Sequence, residues 1–231
     1  MILKALREEV LEANLELVRR GLVLYTFGNS SGIARDEGLV VIKPSGVPYE
    51  KMKAEDLVVT DLHGKIVEGS LRPSSDLPTH LILYREFTSI GGIAHTHSRA
   101  ATSWAQAQRE IPCFGTTHAD YFHGPIPVTK LLTPAQIRVG YEANTGHAIV
   151  RRFANLDPLH LPAVLVAGHA PFCWGATPTQ AAHIAVIVEE IAAMASQTIA
   201  ANPRARCISK HLHDKHFRRK HGRDAYYGQN K

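Results

Sequence analysis

Cysteine is scarce in this chain and poorly spaced for crosslinking: Cys113, Cys173 and Cys207 are an odd set of three with no Cys-x-x-Cys pair. That argues against a disulfide framework and a zinc ribbon, and it fits a reducing cytoplasm. Long apolar runs are missing as well, and the first residues read as an amphipathic, acid-containing segment, so neither a membrane span nor a signal peptide is expected. No Walker or dinucleotide glycine fingerprint occurs. For most of its length the chain also lacks an excess of either charge. Of 26 Lys/Arg and 21 Asp/Glu, seven and two lie after residue 209, which leaves 19 of each sign before it. The net charge of +5 therefore belongs to the tail, and that segment calls for an anionic partner. The tail contains no recognised nucleic-acid module and few aromatics besides Tyr226 and Tyr227, so no nucleic acid is expected as that partner.

What is present is ordinary globular material, 231 residues of 45% hydrophobic content with no internal repeat or linker, which favours one domain. Leu3, Leu6, Val10, Ala13 and Leu17 recur at helical spacing before Gly21, so the chain opens with an amphipathic helix. Runs 22–26, 39–42 and 90–96 read as strands, and 57–60 pairs with 66–68 as a hairpin around Leu62-His63-Gly64. Helices are expected over 76–87 and 99–108, after Thr133-Pro134, and from Thr177-Pro178 to a stop at Asn202-Pro203. The alternation predicts a layered α/β domain with a mixed or antiparallel sheet.

Three histidines carry most of the chemistry. His95 and His97, two apart on a strand, share a face, and His169 after Val164-Leu165-Val166-Ala167-Gly168 can complete a metal site with an open position. With 14 histidines among 231 residues, a His-x-His pair arises by chance on the order of once, and His211-x-His213 is a second instance. Two half-buried strand histidines are therefore the competing reading. Context favours the first pair, which ends an apolar run.

Gly28-Asn29-Ser30-Ser31-Gly32 and Lys43-Pro44-Ser45-Gly46 have the composition of anion cradles, and Pro73-Ser74-Ser75-Asp76 precedes a helix whose N-terminus favours negative charge. Each alone reads as a turn or a cap. Together they point to a phosphorylated small molecule. Asp120, within Gly115-Thr116-Thr117-His118-Ala119-Asp120-Tyr121, is a general base or the cap of a turn. Tyr226 and Tyr227, near His216, Arg218 and Arg219, are acid groups amid cations or simply a docked end.

The combination of Gly28-Asn29, Lys43-Pro44-Ser45-Gly46, Pro73-Ser74-Ser75-Asp76-x-Pro-Thr-His80, His95-Thr96-His97-Ser98, the Gly115 to Asp120 run, Gly168-His169-x-Pro-Phe and the closing Tyr226-Tyr227-Gly228-Gln229 resembles the class II aldolase/adducin-head family. Within that family it is most similar to the L-ribulose-5-phosphate 4-epimerases. The resemblance spans nearly the whole chain and implies a single α/β/α domain over 1–231 around a central, largely antiparallel sheet. It implies one zinc ion per subunit, with manganese or cobalt as alternatives, held by His95, His97 and His169 with Asp76 associated. Gly28, Asn29, Lys43, Ser45, Gly46, Ser74 and Ser75 fall where the family binds substrate, mainly its phosphate, and Asp120 and Tyr227 match the acid/base pair. The implied assembly is a homotetramer with sites between subunits. Thr116, Glu142, His216 and Arg219 would then support a neighbouring subunit's site, and the basic tail 203–231 would reach that site.

The implied reaction interconverts L-ribulose 5-phosphate and D-xylulose 5-phosphate, with a phosphorylated ketopentose as the only small-molecule partner and no membrane. Ala167-Gly168 and Ala170 around His169 depart from the family, which is more polar there. The nearest alternative is a class II sugar-phosphate aldolase of the L-fuculose-phosphate type, although such aldolases carry glutamate where this chain has Asp76. A non-catalytic adducin-head-like scaffold would require lost ligands, and none is lost.

Overall fold

The computed structural model describes residues 1–222 and 225–227. Gly228 and Gln229 of the closing motif, and Arg223, Asp224 and Lys231 of the basic tail, lie outside the described residues.

Strands β1 (Asn29–Ala34), β2 (Leu39–Ile42), β3 (Val58–Asp61), β4 (Ile66–Glu68), β5 (Gly92–His95), β6 (Ala163–Leu165) and β7 (Pro171–Gly175) form one sheet. Their order is β4-β3-β2-β1-β5-β7-β6, antiparallel at every junction. Alternate residues of β1 show what covers each face. Ser31 turns its hydroxyl to His80 and Tyr84 of α2 (Leu77–Glu86), whereas a Cβ on Gly32 would strike Leu6 of α1 (Lys4–Arg19) and Pro178 of α6 (Pro178–Ala201) at 2.7 Å. Helix α3 (Arg99–Gln106) joins α1 and α6 on their side, and α5 (Pro134–Arg152) packs on α2. The domain is thus the expected α/β/α sandwich around an antiparallel sheet. The single turn α4 (Thr116–Ala119) and helix α7 (Lys210–Lys220) pack together.

The buried face of α1 includes Val10, Ala13 and Leu17 as the spacing predicted, but also Arg7 and Asn14. Both polar groups are satisfied: Arg7 reaches Glu68 at 2.7 Å and the carbonyls of Ala54 and Leu57, and Asn14 bonds the Ser30 backbone. By length and composition α6 could cross a membrane, yet here its alanine-rich face lies on the sheet as a core helix. Its Glu189 caps the first turn of α3 by accepting from the Ala100 and Ala101 amides at 2.8 and 2.9 Å. Thr133 and Thr177 cap α5 and α6 as expected.

Two strand expectations need correction. Run 22–26 is turn and irregular chain: Leu22 and Val23 are buried as anchors under the end of α1, whereas Leu24 and Tyr25 are exposed. The first strand is instead the small polar run Asn29–Ala34, which read as a loop. Helices press on both of its faces, so small side chains fit where larger β-formers would collide. His97 also lies beyond the end of β5, so strand alternation does not place it.

Candidate metal centre and acid/base cluster

The three histidines meet although they come from different kinds of backbone. His95 ends β5 opposite Asn29 of β1, His97 follows in the loop before α3, and His169 sits in the tight connection between β6 and β7. Their Nε2 atoms converge, 3.1 Å between His95 and His97 and 3.2 Å between His97 and His169. His95 Nδ1–H donates to the Pro171 carbonyl at 2.9 Å, which leaves its Nε2 as a bare lone pair facing the other two rings. Phe172 stacks on His95 with centroids 4.1 Å apart and fixes its plane. Burial, reinforced by His95 and His97, pushes His169 down to about 4, and burial also lowers His97. Three imidazoles turning ring nitrogens on one point suit a divalent cation, because a shared positive charge makes that arrangement favourable.

Asp76 stands at the start of α2, with Oδ2 3.9 Å from His95 Nε2 and accepting from Asn29 Nδ2 at 2.7 Å. Burial works to raise its carboxyl, but His95, His80 and the Asn29 bond outweigh it and hold the group below the usual range.

A cavity of about 420 Å³ opens beside these side chains. Gly28, Asn29, Lys43, Ser45, Gly46, Ser74, Ser75 and Asp76 all line it with the three histidines. The two cradle segments are fastened to each other, Ser45 N–H to the Arg72 carbonyl and Ser74 N–H to the Lys43 carbonyl, both at 2.9 Å. Gly28 has φ +72, and a Cβ there would lie 2.7 Å from the His95 carbonyl, so glycine is required where this loop crosses the end of β5. Lys43 is almost fully buried, its ammonium on the Pro44 and Val47 carbonyls and 4.7 Å over the Tyr49 ring. Burial without a carboxylate pushes that amine down to about 8.

Sequence reasoning missed Tyr141, which also lines the cavity, 5.8 Å from the His169 ring. Its signal was Gly140. There the helical backbone breaks, with φ 168 and ψ 83, and Asn144 caps the freed Gln136 and Gly140 carbonyls. Glu142, two residues past the same break, also lines the cavity of its own chain.

Asp120, Thr116, His216, Arg219 and Tyr227 do not line this cavity. They form a second cluster. Asp120 follows α4 and accepts from Arg219 through both oxygens at 2.9 and 2.6 Å and from His216 at 3.0 Å, while Lys220 lies 3.5 Å away. Burial would raise the Asp120 carboxyl, but the Arg219 and His216 bonds and the Lys220 charge hold it low and ionised. Thr116 accepts the Asp120 amide through its carbonyl. The Tyr227 ring is exposed, with Arg219 and Lys220 over it at 4.7 and 4.5 Å.

Residues 8–196 match the family model for the class II aldolase and adducin N-terminal domain. The chain belongs to that family. Among solved structures, this class II aldolase-family chain is similar to an L-fuculose 1-phosphate aldolase at 24% identity, TM-score 0.79, over 93% of this chain and 95% of that one. It is also similar to YgbL, a putative aldolase/epimerase/decarboxylase from Klebsiella pneumoniae, at 25% identity, TM-score 0.74, over 93% and 99%. The L-fuculose-1-phosphate aldolase from Thermus thermophilus matches at 21% identity, TM-score 0.66, over 88% and 98%. These likenesses establish the fold, and the family makes a divalent-metal, sugar-phosphate site the reading of the histidine cavity.

Proposed function

We propose that this chain is a cytoplasmic L-ribulose-5-phosphate 4-epimerase, acting by reversible cleavage of the substrate's C3–C4 bond. The observation that carries this reading is the division of labour between a histidine-and-cradle cavity and a separate Asp120–Tyr227 cluster. The hydrogen on C4 is not adjacent to the C2 carbonyl, so its direct removal gives an unstabilised carbanion. Cleaving C3–C4 instead leaves an enediolate and glycolaldehyde phosphate. His95, His97 and His169 would hold a divalent ion, which would supply Lewis acidity for the developing charge.

Lys43, Ser45, Gly46, Ser74 and Ser75 hold the phosphate, so the aldehyde fragment rotates without escaping. Asp120 and Tyr227, supplied by a second copy within a homotetramer, take and return the proton on the two faces of that aldehyde. Arg219 and His216 keep Asp120 ionised and oriented for this task.

Aldolase activity is the second reading, favoured by the likeness to L-fuculose 1-phosphate aldolase. It uses the same cleavage and releases the fragments. One assay separates the two: supply L-ribulose 5-phosphate with zinc or manganese. Accumulating D-xylulose 5-phosphate without free aldehyde is the expected result. Free glycolaldehyde phosphate, or turnover of L-fuculose 1-phosphate alone, would replace the epimerase with the aldolase.

A further inference from the structure

Cys113 and Cys207 take no part in the proposed reaction, and they occupy matching positions. Each lies two residues before a helix start: Cys113 before Gly115, which opens α4, and Cys207 before Ser209, whose side chain accepts the Leu212 amide of α7. Those two helices pack together, and the segments that lead into them also touch. The Ile208 amide donates to the Cys113 carbonyl at 3.1 Å. The path through that bond limits the Cα separation of Cys113 and Cys207 to about 8 Å, and a disulfide spans about 4.4–6.8 Å.

The connector supplies the remaining movement, because Asn202, Pro203, Arg204, Arg206 and Cys207 are all exposed and anchor no core. The two thiols differ in access. Cys207 is open to solvent, whereas Cys113 is 5% exposed and turns its thiol to the Gly115 carbonyl at 3.6 Å. Cys173 is excluded as a partner for either, since it is sealed inside β7 between Ala94 and Ala163 of the neighbouring strands.

We propose that Cys113 and Cys207 are a modification site: a reversible thiol pair that a low-molecular-weight disulfide, such as oxidised glutathione, closes into one bond between the starts of α4 and α7. The exposed thiol reacts first. The Cys207 thiolate attacks one sulfur of the oxidant, whose S–S bond breaks, and a mixed disulfide forms as one glutathione leaves. Cys113 then gives up its proton and attacks the Cys207 sulfur, expelling the second glutathione. The protein pair loses two electrons and two protons, and the two departing glutathiones carry them. Burial, with the Cys207 charge adding to it, pushes the Cys113 thiol up to about 11, so this second step is slow at neutral pH and quickens as pH rises. The bond bears on Asp120, which ends α4 and is held by His216 and Arg219 of α7. Once closed, it keeps those elements together without relying on charge.

The test incubates the full chain with oxidised glutathione, blocks the remaining thiols with N-ethylmaleimide, and digests with trypsin in the absence of reductant. A peptide joining Cys113 to Cys207 is the expected product, formed faster near pH ~9 than near pH ~7. Cys113→Ser should stop at the glutathione adduct of Cys207, and Cys207→Ser should leave Cys113 unmodified. Hydrogen exchange of the α7 amides in high salt reads the mechanical effect, and it should be about tenfold slower in the closed protein than in the reduced one. A glutathione adduct that persists near pH ~9, a link to Cys173, or dimers joined through Cys207 would overturn the pairing. Equal exchange in the closed and reduced forms would overturn the staple between α4 and α7.

Discussion

At neutral pH the rings of His80, His118 and His169 are held uncharged by burial, His118 and His169 down to about 4 and His80 to about 3. Unfolded, the same rings protonate near pH ~6.5. Below that value the unfolded chain binds more protons than the folded one, so stability falls as pH drops from about 6.5 toward about 4. Asp76 and Asp120, both held low, keep their contribution throughout that window and lose it only at lower pH. Thermal unfolding of the metal-stripped protein should therefore show a melting temperature that declines between about pH 6.5 and 4.5, by about 2–4 °C per kcal/mol lost. A flat profile there would mean the rings are hydrated. The three clustered histidines and Asp76 were legible as residue types in spaced motifs. Tyr141 was not, because its place depends on a single break in a helix that periodicity reads as continuous.

At the scale of elements, β5 is seated directly against the entry to α6. A Cβ on Gly92 would fall 2.3–2.4 Å from backbone atoms of Thr177 and Pro178, atoms that cannot swing aside as a side chain does. Gly92→Ala should accordingly destabilise the protein by at least about 1–3 kcal/mol, and because β5 ends in His95 it should weaken metal binding as well. Differential scanning calorimetry with zinc titration checks both, and an unchanged melting temperature would contradict the contact. Caps and stops made the long helices readable in advance, since Thr-Pro and Asn-Pro act locally. The first strand escaped detection because its small polar residues answer to the helices on either face, and no local propensity carries that information.

At the scale of the molecule, one chain holds a histidine-lined cavity in one place and an ionic cluster around Asp120 in another. In the proposed homotetramer a site built from both would draw on two copies. His97→Asn should lose the cavity's chemistry and Asp120→Asn the cluster's, each lowering turnover by about 10²–10⁴. If the halves meet across an interface, the two inactive proteins should regain part of the activity when denatured together and refolded as mixed oligomers. No recovery would confine the site to a single chain.

The exposed connector between α6 and α7 draws one further consequence. Among the residues of α7, Phe217 alone is buried, and the helix is otherwise moored by ionic and imidazole contacts to Asp120 and the chain after it. A clip near residue 205 would let that mooring slip while the sandwich stays whole. Stored samples could then lose turnover with circular dichroism and zinc content intact, so catalytic lifetime in such a preparation would be set by trace protease and ionic strength rather than by heat.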